Sequence, residues 1–214
     1  MTVIPPTQIF RFRLPVRQAN RLPRRGKALL NLGMQYRLVF PGVIDGAPDW
    51  ARMRAGWTPS GIGFSVEVAG GSLGDHPESP EQSTTAGLQL WIDTRNTQSV
   101  HRATRFCHHF SITPSGGTDR PRIEQLTIPR ARDDAPRSTT PPIACCLTKR
   151  GSYTLEVWFP ADALHGFDPS GSPLLGFHAR IQDRRLGEVF LAHDQEFPCD
   201  ADPSLWSTLE LVGS

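Results

Sequence analysis

The sequence predicts an all-β fold, a β-sandwich of jelly-roll type with about eleven strands, long loops and minimal helix. Apolar and polar residues alternate in several separate segments, and only one short segment has a helical pattern. Glycine (19) and proline (20) supply 39 of the 214 residues, which is typical of many short strands joined by turns. A chain of this length can bury a core without disulfides or metals.

The strands follow from the period-two patterns. The strong alternations, each with one apolar face, are at residues 62–68, 88–92, 153–159 and 175–181. Weaker strands are expected at residues 36–40, 50–56, 106–112, 123–128, 143–148, 188–192 and 206–212. Residues 160–164 predict a single helical turn with proline at its first position. Long loops are expected at residues 69–86, 114–120 and 129–142.

The charge distribution divides the chain unevenly. Residues 1–44 hold eight basic and no acidic side chains, which leaves 15 basic against 21 acidic in the remainder, out of totals of 23 and 21. We therefore expect a basic arm at residues 1–30 and a single sandwich domain at residues 31–214. The arm could dock on an acidic protein partner, or it could be a solvated segment packed on an acidic body; nucleic acid is not favoured.

Targeting signals and metal-finger spacings are missing from the sequence. The first residues lack a basic start followed by an apolar core, and no apolar run is long enough to span a bilayer, so a cytoplasmic protein without membrane contact is expected. Cysteines occur at 107, 145, 146 and 199 without a CxxC pair. They are interpreted as thiols rather than as a disulfide framework or a zinc finger.

The polar faces of the strong strands carry the most informative composition. If their apolar residues face inward, the opposite side displays Gln89, Trp91, Asp93, Glu156, Trp158, His178, Arg180 and Gln182. Indole rings beside planar polar groups suit a saccharide, because rings stack on a pyranose while amides and guanidinium groups bind its hydroxyls. The alternative is that a further layer, such as the amino-terminal arm, covers the tryptophans and makes them core.

A histidine-rich segment offers a second interpretation. His101, His108 and His109 lie within nine residues of one another, together with Cys107, and zinc, copper or haem iron accepts such ligands. His108 and His109 point to opposite faces of a strand, so only one of them could join His101 at one metal. Histidines satisfied by their neighbours are the alternative.

No catalytic constellation is indicated, so a non-enzymatic protein is expected. Gly70-Gly71-Ser72-Leu73-Gly74 matches the nucleophile-elbow pattern, but the residues after it cannot form the required helix. Glu67, Glu156 and Asp93 could serve glycoside hydrolysis only if two of them faced one cleft.

Three segments resemble the family 9 carbohydrate-binding modules and the related DOMON-like domains. They are the opening run 45–68 with Asp45-Gly46-Ala47-Pro48-Asp49-Trp50, the strand 87–96 ending in Asp93, and the late run 153–183 with Glu156, Phe159-Pro160, Leu164, Gly176 and Asp183. The resemblance spans about residues 34 to 212.

The resemblance implies a non-catalytic β-sandwich that binds saccharides between aromatic side chains. It implies a clamp drawn from Trp57, Trp91 and Trp158, with Glu67, Asp93, Arg95, Asn96 and Arg180 as polar partners. Some members hold a structural calcium and some DOMON-like domains bind haem, so these cofactors, and a metal- or haem-binding role for the histidine segment, are alternatives to the saccharide.

Overall fold

The fold is that of an eleven-stranded β-sandwich, as the sequence predicts. The structure is a computed structural model that describes residues 10–41, 46, 48–71, 73, 86–114, 120–192 and 197–213. Its strands are β1 (Arg13–Gln18), β2 (Ala51–Thr58), β3 (Gly61–Ala69), β4 (Gly87–Asp93), β5 (Cys107–Thr113), β6 (Arg122–Leu126), β7 (Ile143–Lys149), β8 (Ser152–Pro160), β9 (Leu174–Asp183), β10 (Gly187–Phe190) and β11 (Ser207–Val212). Single turns of 3-10 helix occur at Met34–Tyr36, Ala161–Ala163 and Pro203–Leu205.

The strands form one continuous hydrogen-bonded sheet that folds over on itself into two layers. Its order is β6-β5-β4-β9-β11-β1-β2-β3-β8-β7, and β10 pairs with β9. We call β4, β5, β6, β9, β10 and β11 layer A, and β1, β2, β3, β7 and β8 layer B. The sheet continues from layer A into layer B at β1, which pairs in parallel with both β11 and β2.

The apolar faces of the two layers meet in the core. Phe64 of β3 stacks on Phe177 of β9 with ring centroids 5.0 Å apart, and Phe110 of β5 meets Phe159 of β8 at 4.6 Å. These four side chains are buried, and their strands follow the predicted alternation. Burial of one face per strand is what fixes the register, because a slip of one residue would turn every side chain to the other side.

The prediction of a strand at residues 36–40 is wrong. Tyr36 ends the 3-10 turn Met34–Tyr36, and Arg37 forms only an isolated bridge with Arg54. Within the segment expected as a basic arm, Arg13–Gln18 is a strand that joins the two layers. Pro15 is tolerated in β1 because β2 pairs only with Arg17 and Gln18, so no ladder bond to β2 is required of the missing N–H.

The predicted helical turn is confirmed, with its start one residue later than expected. The 3-10 helix covers Ala161–Ala163, and Pro160 is its N-cap as well as the last residue of β8. None of the helices in the described ranges is long and apolar enough to cross a membrane. Ser72, Asp45, Ala47, most of loops 69–86 and 114–120, and residues 1–9 of the expected arm lie outside the described residues.

Candidate functional site

Each layer has an outer face, and the amino-terminal segment covers the outer face of layer B. Leu22, Leu30 and Leu32 pack on Trp158, which is 3% exposed. The Glu156 carboxylate accepts hydrogen bonds from the backbone N–H groups of Leu30 and Asn31, both at 3.0 Å. A buried carboxylate that accepts two main-chain donors fixes this segment to β8. Trp158 and Glu156 are therefore structural, as the alternative interpretation of the sequence held.

The outer face of layer A is covered only in part: Ile128, Ala131 and Trp206 pack with Trp91, and a cavity lies beside this cluster. The cavity has a volume of about 370 Å³, within the range of small-ligand sites. It is lined by Gln89, Trp91, His109, Thr127, Pro129, His178, Arg180, Phe190, Phe197, Cys199 and Asp200. Five of these side chains come from β4, β5 and β9, where strand alternation turns them away from the core.

Strand register arranges the floor of the cavity in two rows. In one row His109, Trp91 and His178 are cross-strand neighbours, and in the next row Gln89 pairs with Arg180. Phe190 of β10 lies opposite Arg180 on the other side of β9 and extends the second row. The floor therefore consists of one row of aromatic side chains and one row of polar side chains, and the polar row ends in the Phe190 ring.

Trp91 forms the base of the cavity rather than an open platform. Its ring stacks on His109 with centroids 4.3 Å apart and meets His178 at 5.3 Å. The indole is only 2% exposed, so free stacking of a sugar on this ring, as the sequence suggested, is not available. The rings of Phe190 and Phe197 line the same cavity and are only partly buried, so they provide its accessible aromatic surface.

The polar groups of the cavity are mainly hydrogen-bond donors. His109 Nε2 and Gln89 Oε1 are 3.0 Å apart, which occupies the amide oxygen and leaves the amide nitrogen of Gln89 without a partner in the described chain. Burial and, to a smaller extent, the charge of Arg180 lower the pKa of His109 to about 4, so its imidazole is neutral at pH 7. Trp91 Nε1 and Arg180 Nε are buried without an acceptor among the described residues.

Trp57 and Glu67 lie elsewhere and are not brought together with this cavity. The Trp57 ring belongs to the core between the layers, and its Nε1 donates to the carbonyl of Val212 at 3.1 Å. Glu67 is on layer B and forms an ion pair of 2.9 Å with Arg54. Trp57, Trp91 and Trp158 thus occupy the core and two opposite outer faces, and cannot form one clamp.

Asp93, Arg95 and Asn96 shape the turn after β4. The Asp93 carboxylate accepts from the backbone N–H groups of Arg95, at 2.9 Å, and Thr97, at 2.6 Å. Burial raises the pKa of Asp93 despite these hydrogen bonds. Asn96 takes a positive φ of 49°, and the Arg95 guanidinium lies 4.8 Å from the centre of the Phe106 ring. None of the three lines the cavity.

The histidine segment does not converge on one metal. His101 is exposed and bonds through Nδ1 to Asp202, His108 is buried on the core side of β5, and His109 lies in the cavity. The described residues contain no group of three or more histidine, cysteine or acidic side chains that could hold a metal ion. None of the four cysteines is in a disulfide, in agreement with their interpretation as thiols.

No arrangement for catalysis emerges from the carboxylates or from His101. Glu156 is sealed under the amino-terminal segment, Glu67 is paired on layer B, and Asp93 lies on layer A, so they do not share a cleft. Ser204 Oγ and Asp202 Oδ2 both lie 3.0 Å from His101 Nδ1. A relay would need serine and aspartate on different ring nitrogens, so this group is not a catalytic triad.

Both partly exposed rings of the cavity, Phe190 and Phe197, are absent from the site residues that the sequence predicts. Phe190 carries a usable signal, because Val189 faces the core and alternation places its neighbour outward beside the other floor residues. Phe197 follows no periodic pattern, since it lies in a connection between β10 and β11.

The fold is similar to that of solved carbohydrate-binding modules of family 9. One, from Caldicellulosiruptor kristjanssonii in complex with cellotriose, shares 13% identity with 95% of both chains covered and a TM-score of 0.61. A second from the same organism, in complex with glucose, shares 12% identity over 95% of this chain and 97% of that chain, with a TM-score of 0.59. The resemblance seen in the sequence is thereby confirmed for the fold.

Sequence comparison gives no closer assignment. No protein-family model matches the chain, and no curated protein is significantly similar to it.

Proposed function

We propose that the protein binds a saccharide without transforming it, and that the layer A cavity is the binding site. The observation that carries the proposal is the cavity itself: a volume of about 370 Å³ with partly buried rings on one side and amide, imidazole and guanidinium groups on its floor. Pyranoses need this combination of an apolar wall and convergent planar donors. The likeness to modules solved with cellotriose and glucose supports the choice of ligand class.

A second cavity of about 370 Å³ lies at the seam between β6 and the 137–142 segment, but it suits a sugar less well. Its single aromatic lining residue, Phe110, is 1% exposed, and two prolines form much of the wall. The layer A cavity is therefore the better candidate, because its rings can contact a ligand.

Calorimetric titration of the full chain with glucose, cellobiose and other neutral oligosaccharides tests the proposal. Gln89→Ala and Phe190→Ala are expected to weaken binding about fivefold each, since each removes a hydrogen bond or an apolar contact worth on the order of 1 kcal/mol. Trp158→Phe, on the opposite outer face, is the matched control and should leave affinity unchanged. Absence of binding at millimolar concentration across a broad glycan panel would refute a saccharide site.

A further inference from the structure

We infer that the ligand of the layer A cavity is an acidic saccharide, whose carboxylate is received by Arg180. The inference rests on the proposed function, because it names the substrate class of that same site.

Arg180 has no ion-pair partner among the described residues. It stands on the outer face of β9 between Gln89 of β4 and Phe190 of β10. No ion pair joins its guanidinium to an acidic side chain in the part of the chain that the structure describes, and its Nε is buried without an acceptor there. A buried guanidinium hydrogen that lacks an acceptor is costly, and an anionic ligand would supply one.

The described acidic side chains near Arg180 form no ion pair with it. Asp200 lines the cavity and is exposed, and Glu188 lies on the same outer face of β10, opposite Gln182. His109 is neutral at pH 7, because burial and the Arg180 charge both lower its pKa. Arg180 thus brings a charge to the floor that no salt bridge among the described residues engages.

The hydrogen-bonding groups have the same bias. The amide oxygen of Gln89 is engaged by His109, which leaves the amide nitrogen as a donor beside the guanidinium. A neutral sugar presents hydroxyls that both donate and accept, whereas a carboxylate only accepts. A floor rich in donors therefore matches a uronic acid, with its pyranose ring against Phe190 and Phe197.

The test compares four probes by calorimetric titration of the full chain: D-glucuronate, D-glucose, D-glucuronamide and acetate. Glucuronate is expected to bind about fivefold or more tightly than glucose and glucuronamide, because a charge-assisted hydrogen bond is stronger than a neutral one. The preference should shrink between about 0.01 M and about 0.15 M ionic strength, as the Debye length falls from about 30 Å to about 8 Å.

Variants at Arg180 assign the effect to this side chain. Arg180→Gln should remove the preference for glucuronate, and Arg180→Lys should retain part of it. Arg25→Gln, which removes an exposed charge from the amino-terminal segment of layer B, controls for net charge. Circular dichroism at the assay temperature shows whether each variant is folded. If Arg180→Gln does not fold, the salt dependence of glucuronate binding to the wild type still tests the inference.

The outcomes separate this inference from the proposed function. If glucose binds as tightly as glucuronate at low salt, the acidic ligand is excluded while saccharide binding stands. Acetate binding as tight as that of glucuronate would show a general anion site and would also overturn the inference. If neither sugar binds nor any glycan of the wider panel, both proposals fail.

Discussion

The two outer faces of the sandwich have the same sequence pattern but differ in what packs against them. Each presents a tryptophan amid polar residues on strands that alternate equally well, Trp158 on β8 and Trp91 on β4. On layer B the amino-terminal segment packs over the indole, whereas on layer A Ile128, Ala131 and Trp206 pack with it and leave a cavity beside them. An aromatic residue on a polar strand face therefore indicates either a covering segment or a ligand site, and only the rest of the chain decides between them.

The two faces also differ in whether backbone N–H groups bind their buried polar side chains. Glu156 is bound by the N–H groups of two residues of the covering segment. On layer A, Arg180 forms no ion pair with an acidic side chain among the described residues. The buried Glu156 carboxylate of layer B is thus satisfied internally, whereas Trp91 Nε1 and Arg180 Nε of layer A have no acceptor among the described residues.

Substitution at Trp158 should give the largest effect and would test whether layer B is truly sealed. Trp158→Ala empties the space beneath Leu22 and Leu30, so we expect the free energy of unfolding to fall by about 3–5 kcal/mol. Denaturant titration measures the loss. Saccharide affinity, measured where the variant is still folded, should match that of the wild type; a stability change below about 1 kcal/mol would mean that the segment does not pack as described.

Acidification should lower the stability of the fold through His108, which lies on the core side of β5. Burial, the main cause, lowers the pKa of His108 from 6.5 to about 4. Its stabilising effect is therefore present above pH 6.5 and is lost as the pH falls towards about 4, on the order of 3 kcal/mol in total.

His108→Leu should remove this part of the pH dependence while leaving saccharide affinity at pH 7 unchanged, since His108 faces the core. Denaturant titrations at pH 7 and pH 4 measure it, with the exposed His101→Gln as control. Equal losses in wild type and His108→Leu on acidification would contradict the assignment.

Glu156→Gln weakens the attachment of the covering segment without creating a large cavity. The amide keeps one acceptor oxygen and turns an N–H₂ group towards a main-chain donor, so a cost of about 1–3 kcal/mol is expected. Hydrogen exchange should become faster at the amides of Leu30 and Asn31, which donate to the carboxylate. If those amides exchange as in the wild type, the carboxylate is not what holds the segment.

Much of the architecture was predictable because a half-buried strand must alternate. The four strong patterns became β3, β4, β8 and β9, and the outward set included Gln89, Trp91, His178 and Arg180, which now line one cavity. β1 was missed because Pro15 and its flanking arginines look like a linker, and only pairing with β11, distant in sequence, makes this segment a strand. Alternation assigns a side chain to a face, but it does not show which layer the face belongs to or what covers it.

Neutralising the basic residues of the covering segment should have the smallest effect. Arg21, Arg24, Arg25 and Lys27 are exposed and form no ion pair among the described residues, so each change to glutamine should alter stability by less than about 0.5 kcal/mol. Because they lie on the segment that covers the opposite layer, saccharide affinity should also stay at the wild-type value, in contrast to Arg180→Gln. The quadruple variant, with all four residues changed to glutamine, provides the test. If it loses as much affinity for glucuronate as Arg180→Gln does, long-range charge and not the cavity guanidinium attracts the ligand.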